Sequence, residues 1–172
     1  MPTDPWWNFF SLCGSAAATL TGLMFVAVTL GTTLIHQDNL DRVQAFLSPL
    51  CFHFLHVFFL CCAFVVPGAH PPLLAGAAIL SALWRLTMSM PKTYAVVHAE
   101  AHKEPTTIDV SDWVIVVVLP ILVYVVLLGT GVGFLCGQPW AVSTLAASCL
   151  VLLLGSAKGA WDMLIWFAAT GR

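Results

Sequence analysis

Charged side chains are scarce in this chain of 172 residues. Lysine, arginine, aspartate and glutamate together make up 8% of it, whereas a water-soluble domain carries about 25%. A protein with so few charges cannot cover its surface in water, but in lipid its apolar side chains can face outward. The composition therefore argues against an ordinary soluble domain and predicts an integral membrane protein with the lipid bilayer as its surroundings.

The sequence also lacks a basic surplus and the motifs of several enzyme classes. The formal net charge is -2, so we predict no nucleic-acid partner. It contains no phosphate-binding loop, dinucleotide fingerprint or nucleophile triad. The six cysteines form no CxxC pair and have no zinc-site spacing. We therefore predict that the chain is not an enzyme and carries no cofactor.

Long apolar runs are what the sequence has instead. Hydrophobic residues make up 60% of it, and the mean hydropathy is +0.95. About 20 apolar residues span a bilayer core. The runs predict an all-α fold, a polytopic membrane helix bundle that forms a single domain of five transmembrane helices. The spans are expected at about residues 9–35, 43–66, 73–90, 113–135 and 141–162, with a cytoplasmic linker at 91–112.

Proline and glycine mark breaks between and within these runs. Residues 67–72 and 137–139 are rich in both and end the second and fourth runs, because proline lacks a backbone donor and glycine ends helices. Pro120 is expected to kink the fourth helix. Three glycines are expected to loosen the outer end of that helix, namely Gly129, Gly131 and Gly133.

The fifth run continues beyond the length that one bilayer needs. After Leu154 it extends through a short polar stretch into another apolar segment that ends near Thr170. At a rise of about 1.5 Å per residue this exceeds the bilayer core. Either the helix projects into the cytoplasm, or its last ten residues lie along the interface or against a neighbour.

The distribution of positive charge predicts the orientation. With five spans, every lysine and arginine falls near one side of the membrane, whereas the N-terminal tail and the loops at 67–72 and 136–140 carry none. The positive-inside rule then places the N-terminus outside and the C-terminus in the cytoplasm. The six residues are Arg42, Arg85, Lys92, Lys103, Lys158 and Arg172.

The first predicted helix is rich in small and hydroxyl-bearing residues. Gly14, Ala18 and Gly22 recur every four residues, a spacing that lets helices approach closely in lipid. This stripe of small residues is compatible with packing within the subunit, with a contact between subunits, or with a pore lined by hydroxyl groups. The pore would be lined by Ser11, Ser15, Thr19, Thr29 and Thr33.

Two histidines lie three residues apart in the second span. His53 and His56 share one helical face near the middle of the bilayer, where ionisable groups are unfavourable and often functional. Structural hydrogen bonding, proton or ion conduction, and metal or haem ligation all remain open. A haem held by two histidines is disfavoured within one chain, because no other span contains a histidine.

A second histidine pair lies in the polar linker. His98 and His102 are four residues apart, so on a helix both imidazoles would share a face and could bind zinc with a third ligand. The segment HAEAH is not the HExxH motif of metalloproteases. A solvated polar face is the alternative interpretation.

Three charged residues are predicted near the cytoplasmic boundary. Arg85, Lys158 and Asp162 occur late in the third and fifth runs. Arg85 could extend its side chain to the cytosol, or it could pair with Asp162. In an oligomer the three residues could instead form a charged ring at the mouth of a pore.

The first span and the C-terminal segment resemble a family of small bacterial inner-membrane proteins. The segments are GSAAATLTGLMFVAVTL, at residues 14–30, and GAWDMLIW, at residues 159–166. Those proteins open with a span rich in glycine, alanine, serine and threonine and close with a similar Ala-Trp segment. The resemblance implies a multi-pass protein of the bacterial inner membrane and assigns no catalytic residue.

Together these patterns favour a homo-oligomeric membrane protein that forms a pore or channel for ions or small solutes. The small size and the small-residue first helix support an assembly, because five short helices can scarcely enclose a solute path alone. Two alternatives remain. One is a non-catalytic accessory subunit of a larger membrane complex, and the other is a membrane metal- or haem-binding redox protein.

Overall fold

The computed structural model describes residues 5–31, 40–89 and 118–170. These residues contain no β-strand, so the prediction of an all-α fold is confirmed. The predicted linker with His98 and His102 lies outside them. The described residues form five α-helices: α1 (Pro5–Gly31), α2 (Leu40–Val65), α3 (Pro71–Trp84), α4 (Leu119–Leu135) and α5 (Trp140–Thr170).

Two of these helices contain segments long and apolar enough to cross a membrane. They are Trp6–Thr29 in α1 and Trp140–Asp162 in α5. Shorter apolar segments occupy Leu50–Val65 in α2 and Leu119–Leu135 in α4. Helix α5 is unbroken from Trp140 to Thr170, about 46 Å long by the helix rise. The last residues therefore continue the same helix, and whether they project into the cytoplasm or lie against a neighbour stays a prediction.

Local sequence explains where the helices begin and end. Helix α3 starts with two prolines after His70, in the first turn where a missing N–H leaves no helical bond unmade. Helix α4 ends at Leu135, and Gly137, two residues beyond that end, has a φ of 64° that suits glycine. Beyond it, the amide of Gln138 donates to the carbonyl of Gly133 at 2.9 Å, which closes the helix end in the manner of a Schellman motif.

The end of α3 departs from regular α-helix. Pro120 is the second residue of α4, and because residues 90–117 lie outside the described part, the kink expected at Pro120 stays a prediction. Helix α3 passes directly into a π-helical segment, Arg85–Ser89. Such wide turns are rare and often occur at functional sites. Arg85 is the first residue of this one.

The helices form an antiparallel bundle. The rings of Phe10 and Phe64 lie 4.1 Å apart and join α1 to α2. His53 contacts Ser156 and so joins α2 to α5. Helix α4 packs against both α3 and α5. The turns after α2 and α4 lie at one end of the bundle, and Arg85, Lys158 and Asp162 lie toward the other.

The bundle is apolar on its outside and contains several polar groups inside. Large hydrophobic side chains stand outward, among them Leu12 at 72%, Leu80 at 68% and Phe25 at 65% exposure. Among the largest fully buried side chains are Arg85 and Tyr124. A continuous apolar exterior of this kind is unusual for a water-soluble monomer.

Two of the three glycines near the outer end of α4 allow close packing, and whether the three loosen the helix stays a prediction. A Cβ on Gly131 would stand 2.5 Å from Cγ1 of Ile79 and 3.2 Å from the carbonyl oxygen of Ala75. A Cβ on Gly133 would stand 2.8 Å from the ring of Trp140. Gly129, by contrast, has open space. The first two glycines therefore let α3 and Trp140 pack directly against the α4 backbone.

We predict that Gly131→Ala destabilises the protein by about 1–3 kcal/mol, because the new methyl group must displace Ile79 and press on the α3 backbone. Thermal denaturation of the purified protein in detergent measures the effect as a lower melting temperature.

Gly129→Ala is the matched control on the same helix. It adds the same methyl group into open space and gains helix propensity of up to about 1 kcal/mol. Equal melting temperatures for the two variants would contradict the close contact between α3 and α4.

Candidate functional site

The centre of the bundle holds a fully buried arginine. Arg85 is 1% exposed and stands where α3 turns into the π-helical segment. Its guanidinium stays protonated in proteins and can only donate hydrogen bonds. Phe52 on α2 lies below it, with the guanidinium carbon 5.7 Å from the ring centroid, a distance that allows a cation–π interaction.

A hydrogen-bond chain leads from Arg85 across the bundle. The guanidinium Nη2 donates to Nε2 of His53 at 3.1 Å. Because Nε2 must then be the acceptor, the proton of the neutral imidazole resides on Nδ1. Nδ1 lies 3.1 Å from Oγ of Ser156 and donates to it. The chain joins α3, α2 and α5 and fixes the tautomer of His53.

Tyr124 completes this centre from α4. Its side chain is fully buried, and its ring centroid lies 6.0 Å from that of His53 and 5.7 Å from that of His56. The phenol oxygen lies close enough to the guanidinium of Arg85 for an electrostatic interaction. Among the described residues, however, neither the Tyr124 hydroxyl nor Nε of Arg85 has a partner with hydrogen-bond geometry.

The charge of Arg85 is not balanced by an acidic side chain within the described residues. We considered a pair between Arg85 and Asp162, but Asp162 instead accepts from Lys158 at 2.6 Å, one turn earlier on α5. That pair is exposed. Arg85 does not extend to the surface either, because it is buried in the bundle. Two of the three sequence-based alternatives for Arg85, extension to the cytosol and a pair with Asp162, are thus replaced by a hydrogen bond to a neutral histidine.

The histidines of α2 differ in what they can still bind. Both ring nitrogens of His53 are engaged, by Arg85 and Ser156, so this residue offers no lone pair to a metal. Nδ1 of His56 donates to the carbonyl of Phe52 at 2.6 Å, which leaves its Nε2 as an acceptor. Within the described part of the chain, no three histidine, cysteine or acidic residues form a metal-binding group.

A small cavity adjoins the hydrogen-bond chain. Its volume is about 10 Å³, roughly the space of a single water molecule. His53 and Ser156 supply its polar wall, and Leu50, Pro120 and Gly155 contribute to the rest. Since His53 donates to Oγ of Ser156, the hydroxyl proton of Ser156 is available to a small guest.

The small residues of α1 are not brought to this centre. Gly14 is buried, and a Cβ there would stand 3.0 Å from Cβ of Cys61, so it supports packing within the subunit. Ala18 and Gly22 face outward. The hydroxyls of Ser15, Thr19 and Thr29 are exposed, and each donates to the carbonyl four residues earlier in α1.

An open groove runs along the outside between α1 and α2. Its volume is about 530 Å³. Gly14, Ser15 and Ala18 line it on one side, and Phe58 and Cys62 line it on the other. The outward part of the small-residue stripe therefore borders a groove on the apolar exterior.

Sequence reasoning found His53, His56 and Arg85 but missed Tyr124 and Ser156. Tyr124 is one of two tyrosines in the chain and stands among valines and leucines. A lone hydroxyl group in an apolar run was the one sequence feature that could have marked it as a site residue. Ser156 stands beside Gly155 in a stretch of small residues, and nothing local distinguishes it from a packing residue. Reasoning also missed that the thiols of Cys61 and Cys149 meet in the core.

Comparison of the chain with protein-family models, curated proteins and solved structures gives no match. The resemblance to small inner-membrane proteins stays a prediction. Functional inference therefore depends on the geometry of the buried centre.

We predict that His53→Leu lowers the free energy of unfolding by about 2 kcal/mol, because it removes the acceptor of a charged donor in the core. The double variant His53→Leu with Arg85→Met should recover much of that loss, since no buried charge then lacks its acceptor. Melting temperatures of the two variants in detergent measure the coupling.

His56→Leu serves as the matched control, because the hydrogen bond of His56 goes to its own helix backbone. Its effect should be smaller than that of His53→Leu. A double variant that melts at a lower temperature than His53→Leu alone would show that His53 stabilises the protein through an interaction other than its bond to Arg85.

Proposed function

We propose that this chain is a multi-pass integral membrane protein that assembles with identical subunits and conducts ions or small solutes. The resemblance and the positive-inside rule favour the bacterial inner membrane, with the N-terminus outside and the C-terminus in the cytoplasm. The observation that carries the proposal is the buried guanidinium of Arg85 in a bundle with an apolar exterior.

The distribution of polar groups supports a location in lipid. Large apolar side chains face outward, whereas a cation, an imidazole and a phenol are enclosed. In water this arrangement would expose a large apolar surface, which is unfavourable. In a bilayer the exterior is solvated by lipid chains, and inside the bundle Arg85, His53 and Ser156 bond to one another.

The depth of the centre supports a role in conduction. By the helix rise, His53 lies about 18 Å from the end of α2 at Val65, and Arg85 lies about 21 Å from the start of α3 at Pro71. A bilayer core is about 30 Å thick. Arg85 and His53 would therefore lie inside it, where ionisable residues commonly mark the pathways of ions or solutes.

The geometry favours a selective element within each subunit. Arg85 is enclosed by residues of α2 and α4, so its guanidinium does not face an axis shared between subunits. Lys158 and Asp162 are partly exposed on α5 and remain candidates for a charged mouth. Assembly would use the exposed face of α1, where Ala18 and Gly22 allow close approach of a neighbouring helix.

Flux through proteoliposomes tests the proposal. We expect the wild-type protein to release an internal salt faster than empty liposomes do. Arg85→Met should lower the rate by roughly tenfold, the factor that a change of about 1.4 kcal/mol produces. Thr144→Val is the matched control, because its hydroxyl bonds to the backbone of its own helix near the opposite end of α5.

A flux no higher than that of empty liposomes would contradict the proposal. An equal loss of flux in Arg85→Met and Thr144→Val would contradict it too. Native mass spectrometry in lipid nanodiscs tests the assembly: a closed ring of identical subunits is expected, and a monomer would contradict it. Lys158→Gln and Asp162→Asn should change the selectivity among ions only if these residues form a charged pore mouth shared between subunits.

The groove between α1 and α2 favours a second candidate, a non-catalytic accessory subunit of a larger membrane complex. A helix of another protein could lie against Ser15 and Ala18 in that groove. Recovery of the native protein only together with other subunits, and no flux from the purified chain, would support this candidate over the first.

A further inference from the structure

We infer that the thiols of Cys61 and Cys149 form a two-coordinate binding site for a soft monovalent metal ion, of which Cu(I) is the biological example. The site is separate from the hydrogen-bond chain that begins at Arg85, and its occupation does not depend on conduction. The position of the thiols, access from the groove and the balance of charge each support it.

The two thiols meet at the interface between α2 and α5. His53 bonds to Ser156 across this interface at 3.1 Å, and Cys61 and Cys149 lie two helical turns farther along their helices. Their sulfurs are within hydrogen-bond reach of each other, and both side chains are almost fully buried. Two soft sulfur ligands from different helices therefore converge at one point, which no spacing within the sequence could show.

The number of ligands selects the class of ion. Cys13 of α1 is close enough to Cys61 for an electrostatic interaction, but no three histidine, cysteine or acidic residues in the described ranges form a metal-binding group. Zinc takes four ligands, and calcium and magnesium take oxygen ligands. Thiolates select soft ions such as Cu(I), whose filled d shell accepts two ligands in a line.

The ion needs no preformed void of its own. In a linear complex the metal lies between the two sulfurs, in the place of the proton that two hydrogen-bonded thiols share. The open groove of about 530 Å³ leads to this position, because Cys61 is one of the residues that line it. Gly14, also in the groove wall, has no side chain to cover the thiol, since a Cβ there would stand 4.0 Å from Sγ of Cys61.

The charge of the complex matches that of the bundle core. Binding forms two Cu–S bonds, releases both thiol protons to solvent and transfers no electron, so the bis-thiolate of Cu(I) carries one negative charge. Arg85 stays protonated and has no acidic partner among the described residues. Tyr124 interacts with both Arg85 and Cys149. With Cu(I) bound, the positive and negative charges of the core cancel, which is favourable where water is excluded.

Titration of Cu(I) into the full-length protein in detergent tests the inference without a transport assay. The titration is anaerobic and uses bicinchoninate as the competing chelator, and X-ray absorption then counts the ligands. We expect one Cu(I) per subunit, held by two sulfur atoms. No binding in competition with the chelator, or an ion held by nitrogen and oxygen atoms, overturns the inference.

Cys149→Ser nearly keeps the size of the side chain and removes one soft ligand. We expect the affinity for Cu(I) to fall by more than about 100-fold, because even residues behind the ligands of a metal change its affinity by up to about that factor. Cys62→Ser is the matched control, since its exposed thiol follows Cys61 directly on α2, and it should bind Cu(I) as the wild type does. Equal affinities of the two variants overturn the site.

The metal site and conduction fail in different ways. Cu(I) binding by a protein that passes no ions supports the site and contradicts conduction. Flux that depends on Arg85, in a protein that binds no Cu(I), supports conduction and overturns the site.

Discussion

The unfavourable burial of one guanidinium group is the constraint on which the centre of this protein depends. Arg85 cannot lose its proton, so the surrounding helices must supply acceptors and polarisable surfaces. His53 supplies a lone pair at 3.1 Å, Phe52 supplies a ring face, and Tyr124 supplies a phenol. These residues come from α2 and α4, and the chain through Ser156 extends the same arrangement to α5. The inward position of a single cation thus ties four helices together.

Glycines near the centre let those helices come close enough. A Cβ on Gly159 would meet Leu50 at 2.8 Å, and one on Gly155 would meet Leu119 at 3.2 Å, so α5 approaches α2 and α4 on both sides of Ser156. Gly131 gives α3 the same access to α4. In lipid no hydrophobic effect drives such contacts, and small residues make them possible through close packing. Helix α1 stands apart from this arrangement, since its main partner is α2 and its outward stripe is left for other contacts.

Much of the fold was predictable from sequence, because apolar run length and proline position determine where membrane-type helices begin and end. The helix α5 and the breaks at residues 67–72 and 137–139 were found in this way. The partner of Arg85 was not, since pairing with Asp162 and bonding to His53 fit the same spacing along the chain. Only the rotation of α3, set by packing and by the π-helical turn at Arg85, decides between them. Tyr124 and Ser156 were missed for a similar reason, because an isolated polar residue in an apolar run does not reveal which neighbour it faces.

The hydrogen-bond chain from Arg85 through His53 to Ser156 has a fixed polarity. A proton wire works only if every member can both accept and donate, so that the chain can reverse after each transfer. Arg85 can only donate, which holds Nε2 of His53 as an acceptor and Nδ1 as a donor. A proton that arrived from Ser156 would find no acceptor on that side of the ring. His53 therefore cannot relay a proton between Ser156 and Arg85, whereas the Nε2 of His56 is left as an acceptor by the bond from its Nδ1 to the carbonyl of Phe52.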